Sequence, residues 1–87
     1  MEPKDGLNIS ANGTKRWWLN GQLHRTDGPA EEWASGNKFW YLNGLSHRTD
    51  GPAAEYVSGT KYWYLNGQKL TEAEFNRIML WKKINEL

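Results

Sequence analysis

The chain has 87 residues, no cysteine, and 11 Lys and Arg against 10 Asp and Glu, a net charge of +1. A domain of this size buries only about 60% of its unfolded surface, and without thiols it has neither a disulfide nor a thiolate-metal staple, a usage that suits a reducing compartment. The near-neutral charge argues against nucleic acid as a partner, no apolar run approaches the roughly 20 residues that span a bilayer, and the start Met1-Glu2-Pro3-Lys4-Asp5 lacks the parts of a signal peptide, so the expected setting is the cytoplasm.

Residues 1–12 are polar, with Leu7 and Ile9 as the apolar candidates, and read as an N-terminal arm or a short edge strand. From Gly13 a pattern begins that recurs at a fixed offset of 23 residues: Gly13-Thr14-Lys15-Arg16-Trp17-Trp18-Leu19-Asn20-Gly21, then Gly36 to Gly44, then Gly59 to Gly67. A period of that size marks a repeat architecture, here two full units (13–35 and 36–58) and a partial one (59–70). Each unit opens with alternating residues, Lys15, Trp17 and Leu19 on one side and Arg16 and Trp18 on the other. That period of two predicts a strand. Asn-Gly follows at once and predicts a tight hairpin turn.

A second reversal is expected at Thr26-Asp27-Gly28-Pro29, where Asp can bond its own downstream backbone and Pro fixes φ. Ala30 to Ala34 is then long enough for one more strand, closed by Ser35-Gly36, and the second unit repeats this through Ala53 to Gly59. The turn at Ser-Gly takes two or three loop residues, and the choice decides which face carries Trp33 and Tyr56. In the third unit Thr71-Glu72-Ala73-Glu74 replaces the expected segment and forms a capping box. A helix is predicted from about Glu72 to near Asn85, with Phe75, Ile78, Met79, Trp81 and Ile84 as one broad apolar side. Residues 71–87 thus supply the atypical end unit that a repeat array needs. The fold class is mainly β, an antiparallel meander of repeated hairpins with a C-terminal capping helix.

Three groups of residues are candidates for function. His24-Arg25-Thr26-Asp27 and His47-Arg48-Thr49-Asp50 each join a base, a cation and a carboxylate. Their duplication in equivalent positions favours structure over catalysis, with Asp capping the turn and Arg pairing with Glu32 or Glu55, since an enzyme gathers its groups at one place. Two histidines without cysteine do not suggest a metal site, and no cofactor is expected. The in-register Lys15, Lys38 and Lys61 could form a cationic column beside the rings; Lys38, Lys61, His47 and Arg48 would then hold a small anionic ligand. Alternatively each lysine is a solvated strand residue that protects an edge.

The aromatic ladders point further. Trp17, Trp40 and Trp63 form one; Trp18, Tyr41 and Tyr64 a second; Arg16, Phe39 and Tyr62 a third on the same side as the second. Both faces of the sheet therefore carry large rings, and one helix covers at most one face. Unless the sheet curls to shelter them, the rest form an apolar patch of the kind that marks an interaction surface, so Arg16, Trp18, Phe39, Tyr41, Tyr62 and Tyr64 are the predicted partner contacts. Exposed rings and strand edges also favour a homodimer.

The 23-residue period, the Trp-Tyr-Leu-Asn-Gly turn, the His-Arg-Thr-Asp-Gly-Pro-Ala segment and the Ser-Gly-x-Lys reversal together resemble the MORN-like repeat over about Gly13 to Leu70. The resemblance is to the variant found in short proteins encoded by bacteriophages and some large viruses; where ordinary MORN units have a plain His-Gly-x-Gly segment, this chain has Arg-Thr-Asp-Gly-Pro-Ala. It implies a hairpin sheet used for binding, without catalytic residues. Many small phage accessory proteins block a host enzyme or defence factor by direct binding, or sequester a signalling nucleotide, so the resemblance implies such a role in the host cytoplasm.

Overall fold

Asn20, Asn43 and Asn66 lie at φ 50°, 50° and 49°, each followed by a glycine that also has positive φ. Two consecutive left-handed residues close a hairpin whose twist matches that of its strands, which is why Asn-Gly stands there three times. In the computed structural model, which describes residues 4–86, these turns join β2 (Lys15–Leu19) to β3 (Gln22–Leu23), β6 (Tyr41–Leu42) to β7 (Leu45–Ser46) and β9 (Lys61–Leu65) to β10 (Gln68–Leu70). The remaining elements are β1 (Gly6–Ile9), β4 (Glu31–Glu32), β5 (Lys38–Phe39), β8 (Ala54–Glu55) and the helix α1 (Glu72–Asn85). The main sheet runs β1-β2-β4-β5-β8-β9-β10, with β3 also on β2, and β6-β7 pair separately. Every pairing is antiparallel. The fold is thus the expected hairpin meander with a C-terminal helix.

One edge of β2 serves two partners. Lys15 and Arg16 pair with Glu32 and Glu31, whereas Trp18 and Leu19 pair with Leu23 and Gln22. At the junction the Trp17 carbonyl accepts from the His24 amide and the Trp17 amide donates to the Ala30 carbonyl. The chain between His24 and Ala30 therefore leaves the sheet and returns to the same strand, so it must bulge as a loop. Trp40 repeats this between His47 and Ala53. Ala30 and Ala53 are buried at 0% and 2% exposure, where the returning chain meets the strand closely.

The Ser-Gly reversal uses three loop residues. The Trp33 amide donates to the Asn37 carbonyl and the Gly36 amide to the Trp33 carbonyl, with Gly36 at φ 105°. Tyr56, Gly59 and Thr60 form the same turn, and so do Ser10, Gly13 and Thr14. This register puts Trp33 and Tyr56 on the face of Phe39. The repeated turn also identifies β1: paired along β2 from Gly6↔Trp18 to Ile9↔Lys15, it stands where the closing strand of a unit stands. The described part of the arm is an edge strand, and Met1 to Pro3 lie outside the described residues.

Each full unit is tied back on itself, its first residues to its last, and His24 and His47 reach the Asn43 and Asn66 amides of the next unit. Thr14 Oγ1 accepts from the Ala34 amide and Asn37 Oδ1 from the Val57 amide, which explains two buried polar side chains. The slab measures 43 × 30 × 18 Å, and no large side chain among the described residues is fully buried. Such a chain has little core, and polar ties between units carry a correspondingly larger share of its stability.

Thr71 caps α1, its hydroxyl accepting from the Glu74 amide while the Glu74 carboxylate accepts from the Thr71 amide. The helix packs on β9 and β10, with Phe75 at 4% exposure and Ile78 and Met79 half-buried. Trp81 and Ile84 do not join them: at 65% and 59% they stand in solvent beside Leu80 at 60%. Ile84 is nine residues from Phe75, which at 3.6 residues per turn is about 180° around the helix. The expected broad apolar side is two stripes.

Candidate functional site

Arg25 lies over the Trp17 ring and Arg48 over the Trp40 ring, each guanidinium carbon 3.8 Å from the centroid. Arg25 Nε donates to Asp27 at 2.9 Å and Nη1 to the Pro29 carbonyl at 3.1 Å. Arg48 makes the same bonds to Asp50 and Pro52 and adds one from Nη1 to Glu55 at 2.9 Å. The guanidinium thus closes the bulged loop onto the tryptophan. Glycine follows Asp because a Cβ at Gly28 or Gly51 would meet the Arg Cζ at 3.0 Å. Asp27 and Asp50 receive the arginine in place of capping the turn, which corrects one expectation. Arg48 pairs with Glu55 as expected, whereas Arg25 pairs with Asp27 and not with Glu32.

His24 Nδ1 accepts from the Asn43 amide and His47 Nδ1 from the Asn66 amide, both at 2.9 Å. An accepting Nδ1 carries no proton, so the neutral ring holds its proton on Nε2. Each histidine thereby grips the left-handed asparagine of the next unit. In the third unit Leu70 pairs with Trp63 where a histidine would stand, and Phe75 and Met79 line the gap beside Trp63.

Between the two loops is a cleft of about 390 Å³, bordered by Arg25, Asp27, Trp40, His47, Arg48 and Asp50. Lys38 and Lys61 are not on it. The register interleaves them with carboxylates as Lys15, Glu32, Lys38, Glu55 and Lys61 across adjacent strands, so the row alternates in sign. A purely cationic column therefore does not form, because the sequence offset that aligns the lysines also inserts a glutamate strand between each pair. Of the four suggested ligand residues, the structure brings only His47 and Arg48 to one cleft.

The opposite face is organised differently. Arg16, Glu31, Phe39, Ala54 and Tyr62 occupy one register row. Rings meet across it: Trp33 to Phe39 at 5.1 Å, Phe39 to Tyr56 at 5.4 Å and Tyr56 to Tyr62 at 5.9 Å between centroids, the last two edge to face. The Lys69 ammonium sits 4.1 Å from the Tyr62 ring, and Arg16 Nε bonds Glu31 at 2.6 Å. Trp33 is 42% exposed and Val57 67%, while Phe39, Tyr56 and Tyr62 are half-buried. Trp18, Tyr41 and Tyr64 are half-buried and by strand alternation belong to the same side, but they make no ring contact with this row. Trp33 and Tyr56 were not among the predicted contacts. A glycine after Ala34-Ser35 and Val57-Ser58 is the mark of a three-residue loop and could have found them.

The bond from the Thr71 amide, with the Thr71 hydroxyl beside it, lowers the pKa of Glu74. Among the described residues no three His, Asp or Glu gather as a metal site would need, and no helix is long and apolar enough to cross a membrane. Comparison with protein-family models, with curated proteins and with solved structures found no match to this chain.

Proposed function

We propose that the chain is a non-enzymatic protein-binding module whose contact surface is the open aromatic row Trp33, Phe39, Tyr56 and Tyr62, flanked by Arg16 and Lys69 and extended by Trp18, Tyr41 and Tyr64. One observation carries this: the rings touch one another across β4, β5, β8 and β9 yet none is buried, while the loops and Phe75 serve the tryptophan face. A row held by mutual contact is pre-ordered, so little side-chain entropy is lost when a partner covers it. Its aromatic centre and charged ends have the composition of a binding hot spot with a polar rim. The resemblance to short phage-encoded MORN-like proteins directs the search to a host protein, inhibited by occlusion.

The test is affinity capture from host lysate with the natural chain and with Phe39→Ala/Tyr56→Ala. A partner held by the first and lost by the second, with an unchanged circular dichroism spectrum, supports the proposal. A partner that survives the double substitution, or a variant that unfolds, removes it.

A ligand sponge is the second function, favoured by the cleft between the loops. There Trp40, His47 and Arg48 would hold an anionic, nucleotide-like molecule, with Lys38 and Lys61 outside it. Calorimetry against cyclic and adenine nucleotides tests this, and the absence of heat rejects it.

A further inference from the structure

Helix α1 carries a second stripe, apolar except for Arg77, that the fold leaves uncovered. Ala73, Arg77, Leu80 and Ile84 are spaced by four, three and four residues, and all are exposed. Trp81 flanks the stripe at 65% exposure. A spacing of 4-3-4 is the seam of a paired helix, a narrower pattern than a globular helix needs for its own core. The core-facing requirement is already met by Phe75, Ile78 and Met79, so the outer stripe is not a by-product of packing on the sheet.

We infer that this stripe is the contact between two copies of the chain, their α1 helices packed antiparallel about a two-fold axis that crosses the seam between Arg77 and Leu80. Orientation follows from Arg77. In a parallel pair the two Arg77 side chains would oppose each other on the seam, whereas the antiparallel pair sets Arg77 against Leu80 and the small Ala73 against Ile84 of the other copy. Charge agrees. The first turn of α1 is acidic, with Glu72 and Glu74, and the last is basic, with Lys82 and Lys83. Only the antiparallel pair brings acidic turns beside basic ones, and it also opposes the two helix dipoles. The same surface patch serves both copies, as a closed dimer requires. The seam uses no residue of the aromatic row.

Sedimentation of the natural chain over a concentration series should show the mass rising from 10.1 kDa towards twice that value. Leu80→Glu/Ile84→Glu, both on exposed positions, should stay at the monomer mass with unchanged helical dichroism. Because the chain has no cysteine, Ala73→Cys and Ile84→Cys chains can be mixed under mild oxidation to read the orientation. The mixed disulfide should dominate over either homodisulfide. A natural chain that remains monomeric throughout overturns the inference, as does a dimer unaffected by the Glu variant or a mixture in which the Ala73→Cys chain cross-links chiefly to itself. A monomer whose tryptophan fluorescence responds to anionic phospholipid vesicles, with the response lost in Trp81→Ala, would overturn it in favour of a membrane surface. None of these outcomes bears on the aromatic row, which every variant retains.

Discussion

Arg48 stacks 3.8 Å above the Trp40 ring while its fork reaches Asp50, the Pro52 carbonyl and Glu55. One side chain therefore joins the strand, the loop it bulges into and the strand to which it returns. Arg25 does the same for the first unit without the final carboxylate. In a chain with so little core, this stack does part of what an apolar centre does elsewhere.

Replacing Arg48 by Ala should lower stability by about 2–3 kcal/mol, the sum of a partly desolvated cation-π contact and charged hydrogen bonds left unmade. Arg48→Lys should recover less than half of that, because an ammonium cannot present the planar fork to three acceptors. Arg25→Ala should cost less than Arg48→Ala, since Arg25 lacks the bond to a strand glutamate. Urea midpoints of the three variants check the order, and an Arg48→Lys chain as stable as the natural one would contradict it.

Gly51→Ala is expected to act through the same arginine. Its new Cβ would meet Arg48 Cζ at 3.0 Å, and the nearest atoms are all of that guanidinium. The substitution should cost about 1–2 kcal/mol alone, as overpacking does, and nearly nothing when Arg48 is already Ala. A double-mutant cycle in urea measures this, with a coupling of about 1 kcal/mol or more expected for groups in contact. Additive effects would show that the new Cβ does not act through Arg48.

Much of this was open to reading from the chain. The three Asn-Gly turns, the strand at each Lys-x-Trp run, the helix and its capping box follow from local preferences within a few residues, and they stand where expected, except that the strand of the second unit is interrupted at Trp40. The loops were legible as loops, but the partner of Arg25 was not, because Asp27 two residues on and the glutamate after the loop are both carboxylates within an arginine's reach. Trp33 and Tyr56 were lost to a single loop residue, which inverts the face of a strand. The lysine column failed for a related reason: periodicity along the sequence aligns equal residues, and antiparallel pairing places the intervening strand between them.

Acid should weaken the start of α1. Glu74 accepts from the Thr71 amide, and that bond, with the Thr71 hydroxyl beside it, holds its pKa below the ordinary 4.5. With the folded pKa depressed, the stabilisation is full above the unfolded value and disappears as pH falls through the lower folded one. Helical ellipticity should therefore be level above pH 4.5 and decline below it. Glu74→Gln, which keeps the shape of the box without a titrating group, should reduce the slope, and Thr71→Ala should cost about 1 kcal/mol at neutral pH. An identical acid limb in Glu74→Gln would assign the loss to other carboxylates.

Phe75 decides whether α1 is a cap or an appendage. It is the one large apolar side chain buried among the described residues, and with Met79 it lines the gap beside Trp63 that a loop arginine would close in either earlier unit. Phe75→Ala should cost about 3 kcal/mol if the site cannot collapse. In an array where each unit touches only its neighbours, that loss spreads from the damaged end. Hydrogen exchange should then accelerate most in α1, β9 and β10, less in β6 and β7, and least in β2 and β3. A uniform acceleration would mean that the whole slab opens as one body, and no change outside α1 would mean that the third unit holds Trp63 in place without the helix.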